Sequence, residues 1–138
     1  MPDPVQAPSS LGVVMLVDDD LFMLNFMAEM LLDLGASSIV KSSNARDALK
    51  TFAEVKADLL IVDLRMPDMD GIEFLDRVAQ LRYAGKVILH SGVDAGVMRA
   101  AERLATAHGL HVLGAFEKVI DRATLQHLIA PTSPSHQA

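Results

Sequence analysis

Asp58-Leu59-Leu60-Ile61-Val62-Asp63-Leu64-Arg65-Met66-Pro67-Asp68-Met69-Asp70-Gly71 is the stretch on which the fold turns. A short apolar, β-branched run stops at a carboxylate, and a turn rich in Pro, Asp and Gly follows. Leu59 to Val62 predicts a strand buried on both faces, as in a parallel sheet. Asp63 then falls at the strand's carboxyl end, where open α/β sheets hold their ligands. Taken alone, an aspartate in that place is an ordinary turn starter. Its meaning depends on what the other strands end in.

Upstream, Gly12 to Val17 (GVVMLV) repeats the design: an apolar strand running straight into Asp18-Asp19-Asp20. Leu24, Met27, Leu31 and Leu34 then recur at helical spacing, predicting a helix over Leu21 to Leu34 with Asp20 as N-cap and Gly35 just past its end. A second strand spans about Ser37 to Lys41. Ser43 or Asn44 caps a helix whose apolar face is Ala45, Ala48, Leu49, Phe52 and Val55. Downstream of the opening stretch, Gly71 to Arg82 is helical with Ile72, Leu75, Val78 and Ala79 inward. Lys86 to His90 (KVILH) is a fourth strand, ending in Ser91-Gly92. Asp94 to His108 is a helix closed by Gly109, and Leu110 to Phe116 is a fifth strand ending at Glu117-Lys118. Asp121 to Ala130 is the last helix, with Leu125, Leu128 and Ile129 inward.

Strands alternating with helices in this way call for an α/β fold, a doubly wound five-stranded parallel sheet with helices on both faces. The common five-stranded order is 2-1-3-4-5. In that order strands 1 and 3 are neighbours and the chain reverses direction between them. Asp18, Asp19 and Asp63 then meet in one crevice, with Ser91 and Lys118 ending the adjacent strands on the same edge.

Composition bounds what such a crevice serves. The chain has 138 residues, of which 51% are hydrophobic and 22% charged, the make-up of one globular domain. Residues 11–130 form that domain, residues 1–10 read as a disordered lead-in, and residues 131–138 as a linker or frayed tail. No apolar run approaches the ~20 residues that span a bilayer, and the N-terminus lacks the layout of a secretory signal. There is no cysteine, which excludes disulfides and thiolate metal sites and fits a reducing cytoplasm. A net charge of −6 with no basic cluster excludes direct nucleic-acid binding, and one Tyr with five Phe leaves little for base stacking.

Carboxylates forced together repel one another unless a cation or protons intervene. Oxygen-only ligands with few protein groups suit Mg²⁺, which keeps several waters and favours sites that also bind phosphate. A backbone carbonyl from the loop after Asp63 completes such a set. The metal also screens Asp63, so that its carboxylate can attack phosphorus and form an aspartyl phosphate. Phosphoryl transfer needs positioning and charge neutralisation above all. Lys118 offers a positive charge to the phosphoryl oxygens and the Ser91 hydroxyl a hydrogen bond.

VDDD (Val17 to Asp20), LLIVDLRMPDMDG (Leu59 to Gly71), VILHSG (Val87 to Gly92) and FEK (Phe116 to Lys118) together resemble the receiver domain of two-component response regulators, from about Gly12 to Ala130. The resemblance implies a CheY-like, flavodoxin-like fold in which Asp63 is the phospho-acceptor. Its donor would be a phosphohistidine on a sensor histidine kinase or phosphotransfer protein. The resemblance further implies that Asp19, Asp63 and the Arg65 backbone carbonyl bind Mg²⁺ directly, with Asp18 acting largely through water. Ser91 and Lys118 would contact the phosphoryl group. The chain departs from the family pattern in three places. Val119 follows the lysine where proline is usual, Ala115 stands where Tyr or Phe is common, and His90 precedes Ser91. A cis bond before a non-proline residue costs about 2.5–4 kcal/mol, so a trans bond is expected at Val119. His90 reads as a strand-end residue rather than a general base.

Three further readings follow from the residues. Phe22, Met23, Phe26 and Met30 form a second apolar stripe on the first helix, a docking face for the phosphodonor's helices or a dimer interface. Arg65 and Val93 flank the reacting position and would shield the phosphate from water. The stretch His108 to Lys118 is similar to receivers attached to cyclic-di-GMP phosphodiesterase domains, an output domain or enzyme that would lie outside this chain. Two other functions compete with the switch. One is a degenerate receiver that binds partners without phosphorylation. The other is a Mg²⁺-dependent aspartyl-phosphate phosphatase, which would need an acid/base carboxylate where Arg65 stands.

Overall fold

The computed structural model describes residues 11–92, 95–117 and 121–130. The readings made for residues 1–10 and 131–138, and for Val93, Lys118 and Val119, lie outside the described residues. In chain order the elements are β1 (Gly12–Val17), α1 (Leu21–Asp33), β2 (Ala36–Ser42), α2 (Ala45–Glu54), β3 (Leu59–Asp63), α3 (Gly71–Gln80), β4 (Lys86–Ser91), α4 (Ala95–Ala107), β5 (His111–Glu117) and α5 (Arg122–Ile129). The strands form one parallel sheet in the order β2-β1-β3-β4-β5.

The central place of β3 follows from its composition. All five of its residues are buried, and their alternation feeds two cores. Leu60 and Val62 join Met15, Val17, Phe74, Val78 and Met98 beneath α2, α3 and α4. Leu59 and Ile61 join Val14, Leu16, Met27, Leu31 and Leu125 beneath α1 and α5. A strand walled by helices on both sides has no solvent face to carry polar residues, so a carboxylate can appear only at its end. The edge strand β2, by contrast, mixes exposed and half-buried residues up to the buried Ser42.

Local signals set the element ends. Asp20 caps α1 by accepting the Phe22 and Met23 amides at 3.0 and 3.2 Å, and Asn44, rather than Ser43, caps α2 by accepting the Asp47 amide at 2.8 Å. Gly109 stands at φ +96° after α4, with its amide on the Thr106 carbonyl and that of Leu110 on the Ala105 carbonyl. This six-to-one, five-to-two pairing is the Schellman closure, which favours glycine at the left-handed position. The third helix stops at Gln80, short of the expected Arg82. Arg82 instead turns left-handed at φ 59° and donates its amide back to Ala79. Phe74, absent from the stripe read in sequence, is the largest fully buried side chain of α3.

The second stripe of α1 divides in the structure. Met23 belongs to the core at 4% exposure and Met30 packs half-buried against it. Only Phe22 and Phe26 project outward, one helical turn apart, with near-parallel rings 6.0 Å between centroids. The stripe was too wide because Met23 lies next to Leu24 and Met27 on the helix wheel, inside the arc that the sheet covers.

The loop from β3 to α3 closes tightly. The Gly71 amide donates to the Leu64 carbonyl at 3.2 Å, and a β-carbon on Gly71 would come within 2.5 Å of the Leu64 α-carbon. Since backbone atoms on both sides must move, Gly71→Ala is expected to lower the unfolding free energy by about 1–3 kcal/mol. Urea denaturation checks this, and an unchanged midpoint would contradict it.

Candidate functional site

Strands β1 and β3 pair in register, with Val17 opposite Val62, so the residues that follow them emerge side by side. The carboxylates of Asp18, Asp19 and Asp63 each bring an oxygen within 4.8 Å of the other two. Asp18 and Asp63 are buried, at 0% and 2% exposure, while Asp19 is exposed and forms the open side of the pocket. The Asp18 amide is tied to the Ser42 carbonyl at 3.1 Å, and its Oδ1 accepts the Asp20 amide at 2.9 Å. Asp63 Oδ1 accepts the Arg65 amide at 2.9 Å, which bends the loop back over the acceptor. The Arg65 side chain is exposed.

Burial pushes the Asp63 carboxyl above its ordinary value, and the charge of Asp18 adds to the rise. The Arg65 amide and the charge of His90 pull the other way without cancelling it. Ser91 is fully buried, and its Oγ makes no hydrogen bond among the described residues. It is a donor held ready on β4, next to the strand that ends in Asp63. Lys118, the expected second cation, lies outside the described residues.

One participant went unrecognised in the sequence. His90 sits in register with Asp63, fully buried, and its Nε2 lies 3.1 Å from Asp18 Oδ2. The separation is that of an ion pair, but the angle falls short of a hydrogen bond, and Nδ1 has no hydrogen-bond partner among the described residues. Its ring stacks on Phe116 of β5 at 5.1 Å between centroids and 11° between planes. The signal was present: a polar residue closing the otherwise apolar run of β4. The residue opposite Asp63 is invisible until strand register is known. Ala115 and Phe116 fall in opposite cores, as strand alternation requires, so Phe116 does not take the place of the aromatic missing at Ala115.

Three converging carboxylates, two of them buried, form an oxygen-only donor set that suits a hard divalent cation. Such an acidic triad is typical of the Mg²⁺ site in receivers. The arrangement defines a class: a doubly wound α/β domain with an acidic pocket at the topological switch point between β1 and β3.

Residues 14–130 match the family model described as the response regulator receiver domain, and the chain belongs to that family. It is similar to a response regulator from Colwellia psychrerythraea, at 36% identity over 94% of this chain and 100% of that one, with a TM-score of 0.75. The chemotaxis protein CheY of Listeria monocytogenes is 31% identical over 80 residues, 58% of this chain and 67% of the relative. The fold also matches a CheX-CheY-BeF3-Mg²⁺ complex from Borrelia burgdorferi, at 21% identity over 85% of each chain and a TM-score of 0.74. The chain is therefore a receiver domain with a phospho-acceptor signalling role. Receiver domains work through kinases and other protein partners. None of these relatives is described as carrying a cyclic-di-GMP phosphodiesterase, and the likeness seen in His108 to Lys118 gains no support from them. No helix among the described residues is long and apolar enough to cross a membrane.

The raised Asp63 value has a consequence for stability. A carboxyl whose folded pKa exceeds its unfolded pKa binds its proton more tightly when folded. Its contribution is therefore complete below the ordinary value of 3.8 and is lost as pH climbs through the raised one. Asp63→Asn, which removes the buried charge, should stabilise the metal-free chain at pH 7. That advantage should vanish near pH 3.5. Thermal melts in EDTA at the two pH values check this, and equal differences at both would contradict it.

Proposed function

We propose that Asp63 accepts a phosphoryl group from a phosphohistidine on a sensor histidine kinase or phosphotransfer protein, in a Mg²⁺-dependent reaction. The observation that carries this reading is the convergence of three carboxylate oxygens within 4.8 Å at the end of the central strand pair. An Asp63 oxygen forms the new bond to phosphorus while the phosphorus–nitrogen bond breaks and the imidazole leaves with the bonding electrons. Asp19, Asp63 and the Arg65 carbonyl would hold the cation directly, with Asp18 acting through water. Bound Mg²⁺ neutralises the pocket and the phosphoryl oxygens together. Ser91, on β4, would contact those oxygens, and the family resemblance assigns the same role to Lys118, which lies outside the described residues. The Borrelia burgdorferi CheY complex, which contains Mg²⁺ and BeF3, supports this cation for a pocket on the same fold.

The donor docks on the α1 face beside the pocket. Phe22 and Phe26 expose 72% and 39% of their surface, and Asp19 and Asp20 directly precede this helix. An apolar pair next to a buried acceptor suits a partner that must seat closely before its phosphohistidine reaches Asp63. Once phosphorylated, the domain switches contacts with an output domain, a separate target or a second copy of itself. A receiver supplied by an ATP-dependent kinase would work in the cytoplasm. A degenerate receiver, the reading encouraged by Ala115 and Val119, would keep the partner face and lose the chemistry.

Incubation with acetyl phosphate and Mg²⁺ should add one phosphate to the intact mass, and neither Asp63→Asn nor EDTA-treated protein should gain it. No gain in the wild type would favour the degenerate form. Replacing Phe22 and Phe26 with alanine should slow transfer from the cognate kinase about tenfold, the effect of ~1.4 kcal/mol, and leave acetyl phosphate labelling intact. Equal slowing in both assays would move the role of these rings from docking to folding.

A further inference from the structure

The first three amides of α2 all need acceptors, since no earlier helical carbonyl reaches them. Asn44 takes that of Asp47 at 2.8 Å, the work of an ordinary local cap. The other two are taken from across the chain. Asp68, in the loop after Asp63, accepts the Ala45 amide at 3.1 Å on Oδ1 and the Arg46 amide at 3.0 Å on Oδ2. Both carboxylate oxygens are therefore committed to a helix more than twenty residues away. With Asn44 already capping α2, the Asp68 carboxylate adds a tie between that helix end and the loop.

The loop is short and held on every side. Leu64 donates its amide to the His90 carbonyl at 3.0 Å, and the Gly71 amide returns to the Leu64 carbonyl at 3.2 Å. Met66 is buried beneath it. Between these fixed points lies Arg65, whose amide orients the Asp63 carboxylate. Asp68 reaches a helix remote in sequence, whereas the Asp70 side chain caps only the adjacent α3 through the Ile72 amide at 2.9 Å. It is not one of the three pocket carboxylates. Burial pushes the Asp68 carboxyl up, but the two amides and the Arg46 charge pull it below its ordinary value, so the clamp stays ionised wherever Asp63 is.

We infer that Asp68 is a positioning residue for the cation pocket, clamping the loop that carries Arg65 onto the first turn of α2 and so fixing the Asp63–Arg65 segment in its metal-binding geometry. The inference rests on the Mg²⁺ reading above and names a residue outside the donor set. It also makes α2 and the acceptor loop one mechanical unit, through which a change at Asp63 reaches the N-terminal end of α2.

The test compares two caps of one helix. Isothermal titration of Mg²⁺ into wild type, Asp68→Ala, Asp68→Asn and Asn44→Ala is run beside thermal melts in EDTA. Both alanine variants lose α2 capping and should melt at similarly lowered temperatures. Only Asp68→Ala should weaken Mg²⁺ binding, by about five- to tenfold, with Asp68→Asn intermediate because one acceptor oxygen survives and Asn44→Ala within twofold of wild type. If Asp68→Ala does not fold, Asp68→Asn carries the same comparison. Unchanged Mg²⁺ affinity in the Asp68 variants, or an equal loss in Asn44→Ala, overturns the inference and leaves the pocket reading standing. A wild type that takes up no Mg²⁺, or binds it equally well as Asp63→Asn, overturns the pocket reading and this inference with it.

Discussion

The structure depends on one adjacency: β1 and β3, separated in sequence by a strand and two helices, lie side by side and both end in carboxylates. Like charges at such range raise each other's proton affinity and oppose folding. The apolar body of the sheet forces them together. Val14 to Val17 and Leu60 to Val62 are wholly buried, and each such side chain contributes roughly 1.5–3 kcal/mol. Register is thereby fixed so firmly that the strand ends cannot drift apart to relieve the repulsion. The pocket is a stored electrostatic debt, and its function is to be neutralised by a cation and a phosphoryl group.

Around that pocket the protein supports the charges unequally. Asp18 is the most constrained, tied through its amide to β2, through one oxygen to the turn that starts α1, and through the other to His90. Asp19 is exposed and free to meet an incoming ion. Asp63 lies between these extremes, buried but fastened by a single amide of a loop that is itself clipped to β4, α2 and α3. The His90 ring, stacked on Phe116, carries the network across to β5, whose following residues include Lys118. The residue before Ser91 thus connects β1 with β5, a link that an aliphatic side chain there would not provide.

The α1 surface illustrates the limit of pattern alone. Its four apolar residues outside the core stripe were equivalent in sequence, yet packing divides them into Met23 in the core, Met30 on its border, and the exposed Phe22–Phe26 stack. Met23 stands inside the arc of the helix that the sheet covers, beside Leu24 and Met27, whereas Phe22 and Phe26 stand outside it. What remains outside is a small, rigid apolar step beside an acidic mouth.

Strand and helix order, the cap at Asp20, the closing Gly109 and the acidic strand ends were all legible in the sequence, because each rests on periodicity or on residues a few positions apart. So was the convergence of Asp18, Asp19 and Asp63, since a parallel sheet of this connectivity has one switch point. The partners of these residues were not legible. His90 reaches Asp18 across an intervening strand, Asp68 reaches α2 across 22 residues, and Gly71 is required by a backbone contact with Leu64. Those contacts depend on register and on distances of a few ångströms between segments remote in the chain, which only the folded sheet sets.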